Sequence, residues 1–93
     1  MNTVVNIIEP RLIAAEITEN EIIAHLLDGR TISVPLIWSW RLSEATEAQR
    51  QSFEILGDGQ GIHWLEIDED IGVEGMLFGL PAYKPSKAAK QAA

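Results

Sequence analysis

Gly57-Asp58-Gly59-Gln60-Gly61-Ile62-His63-Trp64-Leu65-Glu66-Ile67-Asp68-Glu69-Asp70-Ile71 decides how the second half of this chain is read. The three alternate glycines permit a sharp turn, and Ile62, Trp64 and Ile67 suggest a brief extended segment. Asp68-Glu69-Asp70 reads as a helix start, with Asp68 as its cap and the next two acids in a first turn that complements the helix dipole. Toward the C-terminus, Ile71, Val73, Met76, Leu77 and Leu80 then predict a short second helix. After Pro81 the Lys- and Ala-rich stretch 84–93 reads as a disordered tail, leaving residues 1–83 as one domain.

Working back from Gly57, Leu42, Ala45, Gln49, Phe53 and Leu56 recur every three or four residues, which predicts a first amphipathic helix ending at the glycines. Its start is placed near Thr46, because Thr46 and Gln49 have the spacing of a capping box and Glu47 faces the positive dipole end. Trp38, Trp40 and Leu42 precede it as a short turn. Further upstream, the runs Leu12–Ile17 and Glu21–Leu27 flank the polar turn Thr18-Glu19-Asn20. Asp28-Gly29 then separates the second run from Arg30–Val34, a strong hairpin signal, and Pro35 marks a strand end. The expected fold is α+β, with a small antiparallel sheet of about three hairpin-connected strands packed against two helices.

Composition bounds the function. With 93 residues, 46% of them hydrophobic, the chain supports one core. It has no apolar run long enough to span a bilayer and no secretion-signal pattern at Met1-Asn2-Thr3-Val4, so a cytoplasmic location is expected. Cysteine is absent, which excludes disulfides, thiol nucleophiles and cysteine-based metal sites. The formal net charge is −7, and Lys84, Lys87 and Lys90 lie at the end of the chain, so residues 1–83 set four arginines against all fourteen carboxylates. Such a field disfavours nucleic acid and favours a basic protein partner.

His63 with Asp68, Glu69 and Asp70 is the one cluster with the chemistry of a metal or acid–base site. The spacing argues against a metal, since consecutive residues on a helix point about 100° apart and three such carboxylates converge poorly on one ion. His63 and Asp70 lack a serine or threonine in a nucleophile context, and His25 reads as a half-buried or edge residue of the second strand. Gly57-x-Gly-x-Gly61 follows a predicted helix and carries Asp58, the wrong context and charge for a phosphate loop. Trp38, Trp40 and Trp64 read first as core, and an exposed Trp38 or Trp40 would instead mark a binding patch.

The segment Leu42-x-x-Ala45-Thr46-x-x-Gln49-Arg50, followed by Gly61-Ile62-His63-Trp64 and by Asp68-Glu69-Asp70-Ile71-x-Val73-Glu74-Gly75-x-Leu77, resembles a small bacterial family known as domain of unknown function 2442. The resemblance covers roughly residues 10–80 and implies a small α+β domain without an established activity. That family's pattern carries proline where this chain has Trp40, Glu47 and Leu65. Glutamate replaces proline readily in a first helical turn, whereas Trp40 and Leu65 add apolar area to the core or to a contact patch. The resemblance also implies a second small protein encoded nearby as a candidate partner.

The reading is therefore a noncatalytic interaction or accessory domain without cofactors. Its candidate partner-binding surface comprises Trp38, Trp40, Arg41, His63, Trp64, Asp68, Glu69 and Asp70. Two alternatives stand beside it: a small metal-assisted or acid–base enzyme centred on His63 and Asp68–Asp70, and a purely self-associating module.

Overall fold

A computed structural model describes residues 10–79. The first half follows the hairpin signals. Strands β1 (Leu12–Ile17), β2 (Glu21–Leu26) and β3 (Thr31–Pro35) form an antiparallel sheet in the order β1-β2-β3. The Thr18 hydroxyl closes the first turn by accepting from the Asn20 and Glu21 amides at 3.2 and 2.9 Å. In the second turn Asp28 accepts from the Arg30 amide at 3.0 Å and from its guanidinium Nε at 2.9 Å. The backbone bond leads in holding the Asp28 carboxyl below its ordinary value. The register sets Ile22 against Ile17 and Val34, and Ala24 against Ala15 and Ile32, so one face is apolar. A bulge between Leu12 and Ala14 turns Ile13 outward to solvent while Leu12 stays buried.

A 3₁₀ turn (Leu36–Trp38), α1 (Trp40–Ser43) and α2 (Glu47–Gln51) follow. The capping box forms as expected, with Gln49 N donating to the Thr46 hydroxyl at 3.1 Å and Thr46 N to Gln49 Oε1 at 2.9 Å. Here the fold departs from the sequence expectation. The helix ends at Gln51, and Phe53–Leu56 is a strand, β4, not the continuation of a helix. Residues 57–60 are the turn of a hairpin into β5 (Gly61–Trp64), so the glycines end a strand and not a helix. Asp68-Glu69-Asp70 starts no helix either: Asp68 lies in a turn with φ 53°, and Glu69 and Asp70 open strand β6 (Glu69–Gly72). The expected second helix exists but starts later, as α3 (Val73–Phe78) with Gly72 at its N-cap.

Among the described residues two three-stranded antiparallel sheets, not one, therefore form, the second in the order β4-β5-β6. The reason is register. Phe53 and Ile55 oppose Trp64 and Ile62, and Ile62 in turn opposes Ile71, so three short strands bury one shared face that a helix over 46–56 would have broken up. The Phe53 and Trp64 rings meet at 6.1 Å between centroids with a 48° tilt.

The sheets join along β1. Leu12 N donates to Gly59 O at 2.7 Å, and at the other end Gln51 Nε2 donates to Ile17 O at 2.8 Å. On the opposite side α3 packs against both β6 and β3. The shared core contains Leu12, Ile17, Ile22, Leu26, Leu42, Ile62, Trp64 and Met76, and each fully buried side chain of this size contributes about 2 kcal/mol. The expected boundary at residue 83 and the 84–93 tail lie outside the described residues.

Candidate functional site

Alternation along β5 sends Ile62 and Trp64 inward and His63 to the outer face of the second sheet. The register then sets His63 between Glu54 on β4 and Asp70 on β6, a cross-strand row of acid, imidazole and acid. His63 Nδ1 hydrogen-bonds Asp70 Oδ1. The His63 side chain keeps 22% of its surface exposed. That hydrogen bond raises its pKa above the ordinary value of 6.5; partial desolvation opposes the rise, and the charges of Asp70, Glu54 and Asp68 assist it.

The acidic run divides across the sheet. Glu69 opposes Trp64 and points inward, with only 5% of its surface exposed. Its Oε2 accepts from the buried Ser39 hydroxyl at 2.5 Å, and its Oε1 accepts from Asp70 N at 3.1 Å and lies 3.6 Å from Arg41 Nη1. Ser39 also caps α1, accepting from Leu42 N at 3.2 Å. Arg41 in turn lies over the Trp40 ring, 4.7 Å from its centroid. Glu69 is thus a buried tie between β6 and α1.

Of the residues expected on a contact surface, His63, Asp68 and Asp70 come together on the outer face, and Arg41 is exposed elsewhere. Two corrections follow from burial: Trp64 and Glu69 are interior and offer no side-chain surface. The Trp64 indole donates to Arg50 O at 2.9 Å, and the Arg50 side chain donates to the Leu42 and Ser43 carbonyls at 3.0 and 3.2 Å, closing the C-terminus of α1. Trp38 and Trp40 are half-buried, and Leu65 is exposed. Sequence reasoning missed Glu54 and Ser39. Glu54 is visible only once 53–56 is seen as a strand, and nothing in the sequence distinguishes Ser39 from the other serines.

Chemically, an imidazole oriented by a carboxylate has the makings of a general base. A cleft of about 290 Å³ is lined by Pro10, Gln60, Gly72, Val73 and Glu74, and neither His63 nor Asp70 borders it. Among the described residues no three His, Asp or Glu side chains converge closely enough to hold a metal ion. Among the same residues no helix is long and apolar enough to cross a membrane.

The fold recurs in solved structures. A crystal structure of a protein of unknown function from Rhodospirillum rubrum superposes with a TM-score of 0.68 at 32% identity, covering 86% of this chain and 95% of the other. The solution structure of an uncharacterised protein from Chromobacterium violaceum gives 0.66 at 21% identity, covering 88% and 75%, a likeness of fold alone. No curated protein matches the chain. The model of the family described as "Protein of unknown function (DUF2442)" matches residues 12–82, and the chain accordingly belongs to that family.

Proposed function

We propose that this is a noncatalytic interaction domain that docks a basic partner protein on the outer face of the second sheet. The carrying observation is how the charges are committed. Of the arginines in residues 10–79, Arg11 pairs with Asp58, Arg30 with Asp28 and Arg41 with Glu69, while Arg50 is spent on helix carbonyls. None of these described arginines reaches Glu54, Asp68 or Asp70, so the face around His63 keeps a negative field that attracts cations and accelerates their encounter. The same field makes pairing of two such faces repulsive, which favours a basic partner over self-association.

Affinity purification from the native host tests this, comparing the wild type with the double variant Glu54→Gln, Asp70→Asn. The expected result is a stoichiometric basic companion, released as salt is raised and bound about tenfold more weakly by the variant. Recovery of the domain alone, or of a companion held equally by both proteins, would overturn the proposal.

A further inference from the structure

His63 stands on the central strand of the second sheet, and β6, the strand that holds its partner Asp70, is a short edge strand leading directly into α3. Among the described residues every charged group acting on the ring is acidic: Asp70 from β6, Glu54 from β4 and Asp68 from the β5–β6 turn. The backbone ladder between β5 and β6 runs over only four residue pairs, Gly61 to Trp64 against Gly72 to Glu69, so one side-chain tie across it carries weight.

We propose that His63 is a proton-operated latch between β5 and β6, closed when the imidazole is protonated and slack when it is neutral. In the protonated state the ring donates to Asp70 as half of an ion pair and sits among three carboxylates that it partly neutralises. In the neutral state the Nδ1–H tautomer still donates to Asp70, but without charge assistance, and β6 is held chiefly by its backbone bonds and by the inward tie between Glu69 and Ser39. The direction in pH follows from linkage. Because the folded-state pKa lies above the ordinary 6.5, the stabilisation is fully present below that value and is lost as pH rises through the folded-state pKa. The device therefore tightens the β6–α3 end of the domain on acidification and frees it as pH rises through the folded-state pKa. It rests on the geometry of the row and not on the partner reading.

The test combines proton NMR of the imidazole with thermal melts at about pH 5.5 and about pH 8.5. It uses the wild type, His63→Gln and Asp70→Asn, with His25→Gln to assign the other histidine. The wild-type His63 midpoint is expected above 6.5 and should fall in Asp70→Asn. The melting-temperature gap between wild type and His63→Gln should be at least about twofold larger at the lower pH. A purely structural role for the side chain would instead give the same gap at both pH values. That equality, or a midpoint at or below 6.5, would overturn the proposal.

Discussion

Gly59 and Gly29 make a matched pair in which only crowding differs, and substituting each by alanine isolates what the seam between the sheets is worth. Their φ values are +102° and +97°, so alanine incurs nearly the same backbone penalty at both, about 1–2 kcal/mol. At Gly29 a Cβ meets nothing within 4 Å. At Gly59 it would lie 2.4 Å from Leu12 O and 2.8 Å from Leu12 N, where ordinary contact begins at 3.4 Å. Those are backbone atoms of β1 and cannot rotate aside, so the strand must lift from the β4–β5 turn. Lifting it breaks the 2.7 Å bond from Leu12 N to Gly59 O, about 1 kcal/mol, and partly exposes Leu12, about another 1 kcal/mol. Gly59→Ala should therefore cost about 3–4 kcal/mol and Gly29→Ala about 1–2 kcal/mol, against a total stability of roughly 5–15 kcal/mol. In melting temperature the first is on the order of 15–30 °C for a chain this size. Urea unfolding followed by tryptophan fluorescence reads both. Losses that agree within about 0.5 kcal/mol would refute the close approach of β1 to Gly59.

Two further substitutions probe the ties described above. Thr46→Ala removes the acceptor for Gln49 N and should cost about 1 kcal/mol in the same urea assay; an unchanged midpoint would mean that the start of α2 is not held by its cap. Ser39→Ala strips a buried donor from Glu69 and the cap from Leu42 N, for an expected loss of about 2–3 kcal/mol. Stability within about 0.5 kcal/mol of wild type would show that the buried tie between β6 and α1 carries no weight.

The first sheet was legible because its turns are chemically marked: Thr18 and Asp28 satisfy local amides between runs rich in Ile, Leu and Ala. The second half was misread for a physical reason. Leu42, Gln49 and Phe53 have helical spacing, yet they belong to α1, α2 and β4 in turn, and a helix of five residues is too short to use the stripe. What outweighed it was the non-local match of Phe53 and Ile55 to Trp64 and Ile62, which no window of local sequence contains. The acids failed in a related way. In composition Asp68-Glu69-Asp70 is an N-terminal helix signal, and only the pairing of Trp64 with Glu69 reveals that the middle acid faces inward and the last faces His63. Recognising residues 65–68 as a hairpin loop would have supplied that register, and with it the row from Glu54 to Asp70.

Each sheet is a meander of consecutive strands, so all of its ladder bonds form between segments close in sequence. Beside the shared core, polar ties from β1 and the residue before it to the second half are remote in sequence: residue 11 to residue 58, residue 12 to residue 59, and residue 17 to residue 51 on α2. Such an arrangement lets two fast local units assemble first and leaves their docking to close the longest chain loops. Weakening a hairpin turn should then slow folding, whereas weakening the join should chiefly hasten unfolding, so the kinetic lifetime of the native state is set where the two units meet.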